Sequence, residues 1–194
     1  MIAIVDCGIG NLSSVKNAFD YLKAESMIVG TPDAILDAER IVLPGVGAFG
    51  FMMQNLREKG IAEPIRNSIA SGKPFLGICL GMQALFEESD ESVGVKGLGI
   101  YNGKSVRFRK GKVPQIGWNS ITPAKKGIFE EDFFYFVNSY YVKPGQKGII
   151  AAVTDYYGEF ACAIQDKNVT AVQFHPEKSG SSGIALLQRW LDAY

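Results

Sequence analysis

A chain of 194 residues, 47% apolar and 21% charged, can bury a substantial core without disulfide or metal staples. Its 20 basic and 20 acidic side chains cancel, which excludes the charged footprint that nucleic acid or an anionic membrane surface requires. Three cysteines, widely spaced and without a CxxC pair, exclude a disulfide framework and a zinc site, and point to a reducing cytoplasm.

In chain order, Ile2-Ala3-Ile4-Val5 reads as a buried strand. No charged leader precedes it, and no apolar stretch nears the roughly 20 residues of a membrane helix, so a cytoplasmic location is expected. The turn Asp6-Cys7-Gly8-Ile9-Gly10-Asn11 leads into a helix with Leu12, Val15, Phe19 and Leu22 on one face. Ile41-Val42-Leu43 is the next strand, stopped by Pro44-Gly45-Val46-Gly47. Residues 49–70 are helical in character, with breaks expected near Gly60 and Pro64. Phe75-Leu76-Gly77-Ile78 is a third strand, followed by Cys79 and a short helix from Leu80 to Phe86. Between Leu98 and Gln173 the texture changes to short strand-like pieces such as 133–137, 149–153 and 169–173, separated by glycine turns. A helix from about Ser182 to Ala193, with Ile184, Leu187 and Leu191 on one face, ends the chain. Without repeats, low-complexity segments or a clear linker, a single domain over residues 1–194 is expected. The pattern predicts an α/β fold: a mostly parallel sheet with helices on both faces and added antiparallel strands in the second half.

Three stretches carry chemistry. Gly77-Ile78-Cys79-Leu80-Gly81 sets a thiol between glycines at a strand-to-helix turn, the arrangement of a nucleophile elbow. The free N–H groups of the new helix favour a thiolate and can hold a developing oxyanion. Gln173-Phe174-His175-Pro176-Glu177 follows a probable strand and contains the only histidine. With an extended backbone, His175 and Glu177 would face one site and the carboxylate would orient the imidazole. Pro44-Gly45-Val46-Gly47 exposes backbone N–H groups beyond a strand end, where open α/β sheets collect ligands.

Together these stretches resemble the class I (triad) glutamine amidotransferase family. The elbow continues as Gly77-Ile78-Cys79-Leu80-Gly81-Met82-Gln83, and His175-Pro176-Glu177 is similar to the family's histidine–glutamate motif. Several stretches resemble one branch, the glutaminase subunits of imidazole glycerol phosphate synthases. They are Gly10-Asn11-Leu12, Pro44 to Phe49, Gly117-Trp118-Asn119, Asn138-Ser139-Tyr140-Tyr141 and Phe174 to Ser179. The likeness spans essentially the whole chain. Two positions depart from that branch: Gln115-Ile116 stands where His-Met is usual, and Asn138 stands where His is usual.

The resemblance implies a flavodoxin-like fold and hydrolysis of L-glutamine to glutamate and ammonia. It implies Cys79, His175 and Glu177 as the triad, and oxyanion donors at Leu80 and in the Val46-Gly47 turn. Gln83, Ser139 and Tyr140 would contact glutamine, while Asn11, Trp118 and Lys178 would lie on the partner face. The implied partner is a (β/α)8-barrel cyclase in a heterodimer, with the oxyanion loop resting inactive until the partner's ligand promotes it. No metal or organic cofactor is expected. Competing readings are a paralogous glutaminase feeding another synthase such as a sugar amidotransferase, a non-enzymatic binding subunit, and a cysteine peptidase. Cys7 and Cys162 read as packing residues, and Lys104 to Lys112 as a solvated basic hairpin.

Overall fold

The computed structural model describes residues 1–194. Its centre is a parallel sheet of Ile2–Val5 (β1), Ser26–Val29 (β2), Arg40–Gly45 (β3), Phe75–Cys79 (β4) and Val169–Val172 (β12), in the order β2-β1-β3-β4-β12. Apart from the edge strand β2, these runs are mostly apolar because both faces are covered. In β1, Ile2 and Ile4 pack with Phe19 and Trp190 on one side, while Ala3 and Val5 pack with Ile35, Met52 and Ile65 on the other. The helices Leu12–Tyr21 (α1) and Gly180–Ala193 (α6) contribute to the first face. The helices Pro32–Asp37 (α2), Phe49–Glu58 (α3) and Ala62–Ala70 (α4) cover the second. No helix is long and apolar enough to cross a membrane.

Beyond β12 the sheet continues through Glu159–Asp166 (β11), Ile150–Asp155 (β10), Gln115–Pro123 (β7) and Asp132–Asn138 (β8), all paired antiparallel. Phe86–Ser89 (β5), Tyr101–Arg107 (β6) and Tyr140–Pro144 (β9) attach to β11 through β9. This is the α/β arrangement expected, with antiparallel strands added in the second half.

Several local expectations change. β2 and α2 carried no clear signal: β2 is a four-residue edge strand with Met27 and Ile28 exposed, and α2 is anchored by the single buried side chain Ile35. The break near Gly60 is real, since it adopts φ 67° between α3 and α4. Pro64 breaks nothing, because it sits in the first turn of α4, where no intrahelical N–H is required. The helix after Cys79 is only Leu80–Gln83 (α5). Its continuation is diverted because the carbonyls of Ala84 and Leu85 accept from Leu98 and Ile100, which turns Phe86 into a strand. The buried face of α6 is Leu186, Leu187 and Trp190, with Ile184 and Leu191 on its flank. The basic run is not a hairpin: Lys104 and Arg107 belong to β6, paired with β5 and β9, and Phe108 then enters an aromatic cluster with Tyr141, Tyr156 and Phe160.

Candidate active site

The strand register assembles the site. Gly45 at the end of β3 lies opposite Cys79 at the end of β4, and Val172 at the end of β12 lies opposite Ile78. The Pro44–Gly47 turn, the thiol and the His175 segment therefore meet at the carboxyl edge of the parallel sheet, the side where such folds place ligands.

Cys79 occupies φ 54°, ψ −107°, a conformation that costs a non-glycine residue about 1–3 kcal/mol. The surroundings enforce it. A Cβ on Gly77 would lie 2.8 Å from the Gly81 carbonyl oxygen, and one on Gly81 would lie 1.8 Å from the Leu43 carbonyl oxygen. Only glycines let β4 turn this tightly into α5 while the helix start packs against β3. The first N–H groups of α5, beginning with Leu80, have no intrahelical acceptor.

His175 and Glu177 do pair, with Nδ1 2.8 Å from Oε1 and both side chains almost wholly buried. The route differs from the extended one expected. Pro176–Lys178 form a 3-10 turn, closed by the Lys178 and Ser179 N–H groups on the His175 and Pro176 carbonyls, and this turn folds the carboxylate back onto the imidazole. The His175 backbone is held on both sides: its N–H donates to the Tyr135 carbonyl, and Ser179 Oγ donates to its carbonyl at 2.6 Å. The other ring nitrogen, Nε2, is buried without a hydrogen bond of its own, and the ring shares its cavity with the Cys79 sulfur. Burial works against an imidazolium here. The neighbouring Cys79 sulfur and the Glu177 carboxylate outweigh it, pushing the His175 imidazole up to about 10.

Cys79 and His175 open into a cavity of about 370 Å³, within the size range of small-ligand sites. Val46, Gly47, Leu80, Gln83, Ser139, Tyr140 and Lys178 also line it, so nine of the residues singled out from the sequence converge there. Glu177 stands behind His175 rather than in the wall. Asn11 and Trp118 do not line it: Asn11 caps α1 by accepting from the Ser14 N–H, and Trp118 is 55% exposed with its ring edge-on to Tyr135. Cys7 and Cys162 are buried away from it, as packing residues would be.

Sequence reasoning missed Glu91, the one carboxylate lining the cavity, whose Oε2 accepts from the Phe49 N–H at 2.7 Å. Its only signal was a place in an ordinary acidic run. Gln115 and Asn138, the two departures from the branch pattern, are both buried and lie opposite each other across β7 and β8. A larger groove of about 850 Å³ between α1 and α6 reaches Glu177 but is lined by neither Cys79 nor His175, so it is not the site assembled at the sheet edge.

Comparison with known proteins agrees with this geometry. The family model for glutamine amidotransferase class-I matches residues 3–192. The imidazole glycerol phosphate synthase subunit HisH of Rhodopirellula baltica is 45% identical over 200 residues, covering 100% of this chain and 98% of the relative. The HisH subunit of Pyrococcus furiosus is 47% identical over 195 residues, covering 97% of each. Among solved structures, a glutamine amidotransferase superposes with TM-score 0.81 at 19% identity, covering 99% of this chain and 98% of that one. PurLQS of Thermotoga maritima superposes with TM-score 0.78 at 20% identity over 99% and 97%. At such identities these two speak to the fold alone.

Proposed function

The chain belongs to the glutamine amidotransferase class-I family, and from that premise we propose that it is the glutaminase subunit of an imidazole glycerol phosphate synthase. In this reading it forms a heterodimer with a (β/α)8-barrel cyclase in the cytoplasm and supplies that cyclase with ammonia for histidine biosynthesis. The observation that carries the reading is a strained cysteine elbow and His175, backed by the buried Glu177, at one small cavity. The near-full-length relatives described above bear the name of this one synthase, which supports it as the ammonia acceptor over a sugar-amidating enzyme.

The chemistry follows from the residues. His175 Nε2 removes the thiol proton, and Cys79 Sγ attacks the side-chain carbonyl carbon of glutamine. The oxyanion is held by the Leu80 N–H and an N–H of the Val46-Gly47 turn, each such donor lowering the barrier by about 2.7–4 kcal/mol. The imidazolium, kept charged by Glu177, protonates the departing nitrogen as the C–N bond breaks, and ammonia leaves a glutamyl thioester. Water, deprotonated by His175, attacks that thioester, releasing glutamate and restoring the thiol. Glu91 and Lys178 are the one carboxylate and the one ammonium in the cavity wall, matching the α-ammonium and α-carboxylate of the substrate. Gln83 Oε1 and Asn138 Oδ1 are buried without protein partners and supply acceptors for substrate N–H groups, beside Ser139 and Tyr140.

Asn11 and the exposed Trp118 would then meet the cyclase, with Lys178 at the boundary between cavity and partner. Glutamate release is expected to rise by about 5–150-fold when the chain is mixed with the cyclase holding its own substrate, the range typical of coupling between sites. Turnover that needs Cys79 but ignores the cyclase would remove this acceptor from the account and leave the glutaminase.

A further inference from the structure

Gln173 lies two residues before His175, is fully buried, and reaches the nucleophile with its side chain. Its Nε2 donates to Cys79 Sγ at 3.5 Å, and its Oε1 accepts from Gln83 Nε2 at 3.0 Å. The same Gln83 nitrogen donates to the Tyr140 carbonyl at 3.2 Å, and Asn138 Nδ2 donates to that carbonyl at 3.0 Å. A continuous set of hydrogen bonds thus runs from the sulfur to the start of β9, which walls the cavity. Gln173 is the one side chain that donates a hydrogen bond to the sulfur, and the thiol in turn donates to the Val137 carbonyl at 3.9 Å.

A buried glutamine in a core is usually satisfied by backbone groups. Here the side chain spends its single acceptor on Gln83 and aims its donor at a thiol. An N–H donor strengthens toward an acceptor that gains negative charge, so this contact holds the sulfur in place and grows stronger as the sulfur becomes the nucleophile. The amide itself neither takes nor gives a proton in the reaction.

We infer that Gln173 is a positioning residue that holds the Cys79 sulfur for attack and ties it, through Gln83, to the Tyr140 strand that seats the substrate. This rests on Cys79 being the nucleophile and deepens that reading. It also explains why Gln83 is turned into the wall: one amide nitrogen serves both the strand and the residue that holds the thiol.

The test is the pH profile of Cys79 alkylation by iodoacetamide in the full chain, with Cys79→Ser as the blank. Gln173→Met keeps the length and removes the donor. Its alkylation near pH 7 is expected to be about 10–100-fold slower than wild type, the loss typical of a hydrogen bond to a charged group, with the full rate regained in strong alkali. Gln173→Glu keeps an acceptor for Gln83 and puts a carboxyl beside the sulfur. It should be slower still at neutral pH, and it carries the test should the methionine variant fail to fold. Superimposable profiles in wild type and in whichever variant folds would overturn the inference. Glutamine is absent from this assay, so a wild type with the expected profile but no glutaminase activity would reject the proposed function and leave the role of Gln173 standing.

Discussion

Replacing Cys79 with alanine is expected to lower glutamate release by on the order of 10⁴-fold or more, and loss of the His175 imidazole should cost about as much. Combining the two should cost no more than either alone, because thiol and imidazole act as one unit, and additive losses would contradict that coupling. Steady-state glutamate production from L-glutamine measures both. The substitutions differ in their structural cost. Cys79→Ala removes one sulfur from an elbow whose shape is set by Gly77, Gly81 and the Leu43 carbonyl, so melting should stay near wild type. His175→Ala would strand the buried Glu177 carboxylate, and breaking such a pair costs about 3–5 kcal/mol. His175→Gln, whose amide can still donate to Glu177, separates lost chemistry from lost stability.

The second large effect belongs to Gly81. An alanine there would set its Cβ 1.8 Å from the Leu43 carbonyl oxygen and 2.9 Å from the carbon of the same group. Leu43 pairs with Gly77 in the centre of the parallel sheet, so β3 cannot shift away from the new methyl without disturbing the β3–β4 pairing. Overpacking against backbone is expected to destabilise by about 3 kcal/mol or more and to misplace Cys79. Gly72→Ala is the fitting control. At φ 90° it strains the backbone but meets no atom within 4 Å, so its cost should stay near 1–3 kcal/mol. Urea unfolding of both variants measures the difference. A Gly81→Ala protein as stable as Gly72→Ala would mean the elbow is looser than the contacts imply.

The parts of the fold legible in the sequence were those whose burial is continuous. β1, β3, β4 and β12 are almost wholly buried runs, apolar but for Arg40 at the start of β3 and Thr170 in β12, because helices cover both faces, and they form the platform of the site. The elbow was legible because its geometry demands glycine on either side of Cys79. The short, half-exposed β2 and the one-anchor α2 lacked such a signature. The early end of α5 depends on hydrogen bonds from residues 98 and 100, which no local pattern announces. Glu177 faced His175 as expected, yet through a 3-10 turn that the extended reading did not contain. Glu91 and Gln173 were invisible as functional residues for the same reason as α5: each acts on a group distant in sequence, Phe49 for one and Cys79 for the other.

One measurement reaches the central claim most directly: covalent labelling of the wild-type chain by a diazo-ketone analogue of glutamine, followed by peptide mapping. All three cysteines are buried and free, and only Cys79 opens into the cavity with an imidazole beside it. Burial pushes the thiols of Cys7 and Cys162 up, which leaves them poor nucleophiles. The account predicts that Cys79 alone carries the label and that L-glutamine in excess protects it. Labelling of Cys7 or Cys162 at a comparable rate, or labelling of Cys79 that glutamine does not slow, would contradict it.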